Sequence, residues 1–136
     1  MKLYIVTGLP CSGKTTFVKN RLKEDDIVFD SDEIARAFTY SKYHTVNKDG
    51  IRPFILKLRY QWLQSLNSFG ITGDAYLIAS TISDSLLKRC SLYDYEIIEM
   101  NTSIEECIDR LHKDDTRPDK KDWEKVIKNY SPHRKQ

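Results

Sequence analysis

Cysteine is scarce in this chain and odd in number. Cys11, Cys90 and Cys107 stand far apart with no C-x-x-C pair, which excludes a disulfide framework and a cysteine zinc site, leaves free thiols, and gives no basis for a disulfide-linked partner. Cys90 and Cys107 fall on helical patterns and read as core residues, whereas Cys11 lies in a glycine-bearing loop. No apolar run approaches membrane-spanning length, so no membrane association is expected. The chain enters a strand at once, without a charged prelude and an apolar segment, and a cytoplasmic location is the expectation. An excess of one charge is also missing. With a net charge of +2 on 31% charged residues, any affinity for nucleic acid has to be local. His44, His112 and His133 show no ligand spacing, and no histidine metal site is assigned. There are no repeats and no low-complexity tracts. A length of 136 residues suits one core and is short for a second catalytic module, so a single domain over 1–136 is expected.

What the chain does have begins at its first apolar run, Leu3-Tyr4-Ile5-Val6, which leads into GLPCSGKTT, Gly8 to Thr16. This stretch fits G-x-x-x-x-G-K-[ST], in which backbone N–H groups wrap a polyphosphate, the lysine neutralises its outer groups and the hydroxyl ligates magnesium. Gly8 and Gly13 permit backbone angles and close approach, Lys14 supplies a point charge, and a helix starting near Lys14 aims its positive end at the anion. Phe17 and Val18 are then expected to face a sheet. A chance match is the bland reading, but the strand before and the helix after supply the context the motif requires.

Strand signals recur at 2–6, 27–29, 75–79 and 95–100, separated by segments of helical period, which predicts repeated βα units around a parallel sheet, an α/β three-layer domain. The longest helix is predicted over 51–69, with Phe54, Ile55, Leu58, Trp62, Leu66 and Phe69 on one stripe, Pro53 in its first turn, and Gly70 and Gly73 closing it. A helix from Ser103 carries Ile104, Cys107, Ile108 and Leu111, with Thr102 and Glu105 as its capping box. A last helix places Trp123, Val126, Ile127 and Tyr130 on a stripe that reads as core packing rather than a base-stacking platform. Two irregular charged stretches, 39–50 and 113–121, occupy places where such domains carry substrate loops and lids.

After the second strand, FDSDEIAR puts Asp30 and Asp32 at a strand's carboxyl end, where α/β folds expose their sites. One carboxylate can hold magnesium and the other can accept the proton of an attacking hydroxyl. Alternatively, Asp30 or Ser31 caps the helix over 33–38, with Asp32 and Glu33 favouring its dipole. Arg36, one turn beyond Asp32, is placed to bind an anionic part of an acceptor, or is a solvated surface arginine. Arg110 ends a helical face, and Arg117 stands in DDTRPDKKD, which reads as a mobile loop able to stabilise charge on transferred phosphate, or as a solvated charge run. Lys42, His44, Lys48 and Arg52 interleave with Tyr40 and Tyr43 in a pattern that suits a nucleotide or single-stranded nucleic acid and is also common in solvated loops. Cys11, beside a helix N-terminus, is expected to favour its thiolate.

Taken together, these residues resemble the phage-type polynucleotide 5′-hydroxyl kinases and the wider zeta-toxin-like group of small P-loop kinases. The resemblance rests on Gly8-Leu9-Pro10-Cys11-Ser12-Gly13-Lys14-Thr15-Thr16 and on Asp32-Glu33 after strand two. It continues at Thr45 and Lys48-Asp49-Gly50-Ile51, and at Arg110 and Arg117-Pro118. It implies a P-loop NTPase fold, nucleoside-monophosphate-kinase-like, with ATP and Mg2+ as cofactors and a lid. The loop from Gly8 to Thr16, with Arg110, would bind ATP. Asp32 would be the general base, Lys14 and Thr15 the phosphate and magnesium ligands, and Arg117 a lid arginine. Arg36, Lys48 and Arg52 are the candidate acceptor-side residues.

The chain departs from the family pattern in places. Ser80-Thr81 stands where an Asp-Thr pair is usual, so magnesium would lean on Thr15 and Asp30. Asp114 stands one turn past Arg110, where a second arginine is usual. No phosphatase module follows, so the bifunctional activity of some relatives is not expected. The reading is an ATP-dependent kinase acting on a hydroxyl acceptor, first a polynucleotide 5′-hydroxyl end. The alternatives are a kinase for a nucleoside, nucleotide or sugar, and a catalytically weak nucleotide-binding regulatory module.

Overall fold

Alternation along the strands distributes the sheet between two cores. In the computed structural model, which describes residues 1–43, 50–68 and 70–134, the elements follow in the order β1 (Leu3–Thr7), α1 (Lys14–Arg21), β2 (Ile27–Asp30), α2 (Ser31–Thr39), α3 (Ile51–Ser65), β3 (Ala75–Ile78), β4 (Ile82–Ser83), α4 (Asp84–Cys90), β5 (Tyr95–Glu99), α5 (Ile104–Lys113), α6 (Lys120–Lys128) and β6 (His133–Arg134). Leu3 and Ile5 of β1 join Leu77 of β3 and Phe29 of β2 in one cluster, closed by Ala35, Ile55 and Leu86 from α2, α3 and α4. Val6, Tyr76 and Ile78 point the other way, onto Val18 and Phe17 of α1. The period of two along a strand makes this division. It also explains why β3 is buried along its whole length, as a central parallel strand covered on both faces must be. Truncating Leu77, which is fully buried, would cost about 2–5 kcal/mol.

The main sheet has four parallel strands in the order β2-β3-β1-β5. The register pairs Ile5 with Leu77 on one side and with Ile97 on the other. All four strands therefore end on the same edge of the sheet. The four expected strands and the flanking helices are present, as an α/β fold with a parallel sheet between helices. A third cluster sits beyond that edge, where Leu9 packs with Cys107 and Leu111 of α5 and Ile127 of α6, joined by Trp123 and Tyr130. The stripe on the last helix is thus core packing in the main, although Val126 and, on α5, Ile104 face solvent.

Several local expectations are corrected. The longest helix stops at Ser65, and Phe69 lies outside the described residues. Phe54 faces away from the core and meets Phe38 edge to face at 5.0 Å. Gly73 does not close that helix. A Cβ there would stand 2.4 Å from the Asp25 carbonyl oxygen, so the glycine is required by close approach of the segment before β2. The cap of α5 is Ser103, whose hydroxyl accepts from the Glu106 amide at 3.1 Å. Thr102 has another partner, described below.

A short parallel pair, β4 with β6, joins Ile82 to His133 and Ser83 to Arg134. No sequence signal marks it, because two-residue strands are too short to show a period. No helix among the described residues is long and apolar enough to cross a membrane.

Candidate functional site

The loop after β1 is held from three sides. Thr102 donates its hydroxyl to the Ser12 carbonyl at 2.8 Å, Arg110 donates to the Cys11 carbonyl at 3.3 Å, and Ser12 N closes a turn on Leu9 O at 3.1 Å. Gly13, at φ 92, turns the chain into α1 through a conformation that disfavours other residues. Cys11 also has positive φ, at 64. Lys14 folds back over this loop, donating from Nζ to the carbonyls of Gly8 and Leu9, each at 2.8 Å. Burial, and secondly the nearby Arg117 charge, lower the Lys14 ammonium from its ordinary value to about 8. Ser12 is buried, and its hydroxyl has no hydrogen-bond partner among the described residues.

The next residue joins the loop to β2. Thr15 donates its hydroxyl to Asp30 Oδ2 at 3.2 Å, while Asp30 Oδ1 accepts from the Asp32 amide at 3.1 Å and caps α2. The cap reading of Asp30 is therefore correct as geometry, and its second oxygen is directed at the loop. Burial, and secondly the charge of Asp32, raise the Asp30 carboxyl above the usual carboxylate range. Two oxygen donors, a hydroxyl and a carboxylate, are the chemistry a hard cation takes. Among the described residues no group of three or more His, Cys, Asp or Glu side chains could hold a metal unaided. Thr15 and Asp30 are the residues that could hold a magnesium ion, with its remaining ligands supplied from outside the chain.

The segment joining α5 to α6 is packed, against the expectation of a mobile, solvated loop. Lys120 donates from Nζ to the carbonyls of Leu111 and Asp114, closing the end of α5. Arg117 is only 8% exposed. Its guanidinium lies 4.3 Å from the Trp123 ring centroid, 3.5 Å from Cys11 Sγ and 3.7 Å from Asp114 Oδ2. So Asp114, which stands one turn past Arg110 where a second arginine was expected, pairs with Arg117. Burial pushes the Cys11 thiol up, and the opposing pull of Arg117 does not overcome it. Against the expectation of a favoured thiolate, desolvation outweighs the opposing charges of Arg117, Lys14 and Lys120.

These groups border a cleft of about 1530 Å³ whose walls include Lys14, Thr15, Asp30, Asp32, Arg110 and Arg117. Pro10, Cys11, Ser12, Gly13 and Thr16 also line it, and Gly8 stands behind them, bound through its carbonyl to Lys14. Of the acceptor-side candidates, Arg52 borders the cleft, whereas Arg36 forms an i, i+3 pair with Glu33 along α2 and is not among the lining residues. Lys48, with His44, Thr45 and Asp49, lies outside the described residues.

Three features escaped sequence reasoning. Thr102 clamps the loop from ninety positions away, and nothing local marks it. Tyr130 donates to the Ser80 carbonyl at 2.7 Å, beside Thr7, which donates to the same oxygen at 2.8 Å. Arg59 lines the cleft, and its spacing of seven from Arg52 was the available signal.

No protein-family model matches the chain, and no curated protein matches it. Nine chains of solved structures do. One, described as "Structure of Pnkp1/Rnl/Hen1 complex", superposes with a TM-score of 0.61 at 20% identity, over 80% of this chain and 38% of that one. The likeness is one of fold, and this chain corresponds to well under half of that neighbour's length.

Proposed function

We propose that the chain is an ATP-dependent kinase that transfers the γ-phosphate to a hydroxyl acceptor, a polynucleotide 5′-hydroxyl end in the first instance, on a P-loop, nucleoside-monophosphate-kinase-like fold. The observation that carries this is the meeting of Lys14, the Thr15–Asp30 pair, Asp32 and Arg117 around one cleft at the carboxyl ends of the strands. Such a set supplies what phosphoryl transfer needs, positioning and charge neutralisation. The likeness to a chain of the Pnkp1/Rnl/Hen1 complex is consistent with the polynucleotide branch.

In this reading the loop amides and Ser12 hold the polyphosphate, and Lys14 turns from the Gly8 and Leu9 carbonyls to the β- and γ-phosphate oxygens. Magnesium, held by Thr15 and Asp30, would neutralise charge on those phosphates. Asp32 accepts the acceptor's hydroxyl proton as the oxygen forms its bond to the γ-phosphorus. The bond from that phosphorus to the β–γ bridging oxygen breaks, and ADP departs with the electron pair. Arg117, kept in place by Trp123 and Asp114, faces the charge spread over the transferred group.

The test is to incubate the protein with γ-labelled ATP and a panel of 5′-hydroxyl DNA, 5′-hydroxyl RNA, nucleosides and sugars, alongside Asp32→Asn. Label on the nucleic acids, with transfer by the variant reduced about 10² to 10⁴-fold and ATP affinity little changed, is the expected result. Label only on small acceptors, with a shallow salt dependence, would move the protein to the metabolite kinases. ATP binding without turnover would make it a regulatory module. An Asp32→Asn fall of less than about threefold would remove Asp32 as the base.

A further inference from the structure

Four aromatic rings stand in solvent where α2 ends and α3 begins. Phe38, in the last turn of α2, is 59% exposed, and Phe54, in the first turn of α3, meets it edge to face at 5.0 Å while remaining exposed itself. Tyr40 is 98% exposed, and Tyr43 is exposed as well, with the Lys42 ammonium 5.2 Å from its ring centroid. Single apolar residues are ordinary on a protein surface, whereas a group of large rings marks a surface for contact. Tyr40 also ends α2 in the left-handed region, at φ 54, a conformation that glycine or asparagine adopts at less cost. The chain's own core gains little from a ring so exposed, and a role toward something outside the chain accounts for it.

The charge around the rings says what that is. Between Glu33 and Asp74 the sequence holds six lysines and arginines against Asp49 alone, a net +5 in a chain whose total is +2, so the rest of the chain sums to −3. The positive excess of this protein is carried by the segment that bears the rings. The core of a protein interface is depleted of lysine. Cations interleaved with exposed rings suit instead a polyanion whose bases offer free faces, a single nucleic-acid strand. Phe38 and Phe54 do not line the cleft, but Arg52, two residues before Phe54, does, so the rings adjoin the cleft's mouth rather than its reacting centre.

We infer that the junction of α2 and α3 is a stacking platform for single-stranded nucleic acid: the Phe38–Phe54 pair and Tyr40 stack bases beyond the reacting end of the strand, and Lys42 meets a phosphate between them. This rests on the polynucleotide reading for the strand's being an acceptor, while the binding itself needs no turnover. It adds a length preference, since only a strand long enough to leave the cleft reaches the rings.

The experiment measures, by fluorescence anisotropy, the binding of labelled thymidylate strands of two, six and twelve nucleotides, each carrying a 5′-phosphate so that none can act as acceptor. Affinity should rise with length. Phe38→Ala and Phe54→Ala should each weaken the dodecamer by about five- to a hundredfold, the loss of one stacked base, and leave the dinucleotide unchanged. Phe54→Leu, which keeps an apolar side chain without an aromatic face, should be weakened like the alanine variant, and Phe54→Trp should retain native affinity. Lys42→Gln should lower the slope of log affinity against log salt by about 0.7. Tyr40→Asn, which suits the left-handed conformation, repeats the test if a phenylalanine variant does not fold. Native affinity in every ring variant overturns the platform, as does an equal loss for dinucleotide and dodecamer. Leucine serving as well as phenylalanine, or sedimentation showing altered self-association with strand binding unchanged, assigns the rings to a protein contact and overturns it too. Transfer from γ-labelled ATP to a 5′-hydroxyl dodecamer separates the two readings. Ring-dependent binding in a protein that labels nothing leaves the platform standing and removes the kinase. Labelling whose kcat/KM advantage over a dinucleotide is untouched by the ring variants leaves the kinase and removes the platform.

Discussion

Thr15 and Asp30 are tied by a 3.2 Å hydrogen bond, while the other oxygen of the same carboxylate caps α2 through the Asp32 amide. One side chain thus sets the start of the helix that carries Asp32 and stands beside the hydroxyl that opens α1. Asparagine caps about as well as aspartate, whereas alanine loses about 0.5–2 kcal/mol. Because burial raises the Asp30 carboxyl, its charge opposes folding above the ordinary carboxylate pKa, and that penalty fades as pH falls towards that value. Asp30→Asn should therefore match or exceed the native thermal midpoint at neutral pH, while Asp30→Ala falls below it. Both should need more magnesium for transfer. Scanning calorimetry and a magnesium titration of transfer rate check this, and a native magnesium dependence in Asp30→Asn would remove Asp30 as a ligand.

On the kinase reading, ATP affinity should depend on pH through Lys14. Its ammonium has a folded value of about 8 against an ordinary 10.5, so between those values the folded protein holds fewer protons than the unfolded chain. For this group stability rises with pH across that window, and the penalty is fully present below it. A polyphosphate reverses the preference by favouring the charged form. ATP affinity should fall as pH rises above about 8, by at most about tenfold per unit. In Lys14→Met that dependence should vanish and affinity should be low throughout. Isothermal titration from pH 7 to 9.5 on both proteins decides it.

Cys11 should alkylate slowly at neutral pH. Burial holds its thiol above the ordinary value, and the thiolate is the nucleophile. The rate should climb with pH beyond the range where an exposed thiol has levelled off, and ATP with magnesium should slow it, since the residue lines the cleft. Mass-spectrometric counting of adducts on the native protein and on Cys11→Ala measures this directly. Rapid labelling of Cys11 at pH 7 would contradict the assignment.

Two substitutions separate scaffold from site. Gly73→Ala forces a Cβ to within 2.4 Å of the Asp25 carbonyl oxygen, so backbone must move, and the cost expected is about 1–3 kcal/mol in stability. Thr102→Val keeps the shape and removes the bond to Ser12 O, at a cost of about 1 kcal/mol. The valine variant should weaken ATP binding by more than its small loss of stability suggests, and the alanine variant should not. Chemical denaturation paired with ATP titration distinguishes them.

The sheet and the loop were legible because they depend on local order. Strand alternation, the glycines and Lys14 of the loop, and the Asp30-Ser31-Asp32 turn are separated by few residues, and period and turn chemistry report them directly. Arg117 was legible as a residue and not as an environment. Its neighbours, Trp123 and Asp114, lie within one short segment, but its approach to Cys11 spans more than a hundred positions. The packing of α5 on α6 seals it there.

From the sequence alone follow the parallel α/β layering, the position of the loop and the identity of the carboxylates beside it, since each rests on spacing within a strand, a turn or a helix. Tertiary structure alone decided which oxygen of Asp30 caps and which meets Thr15, that Thr102 clamps the loop, and that Arg59 rather than Arg36 lines the cleft. It also decided that burial pushes the Cys11 thiol up. Burial and long-range hydrogen bonds set those outcomes, and both depend on which distant segments arrive at the same place, a quantity that no local pattern encodes.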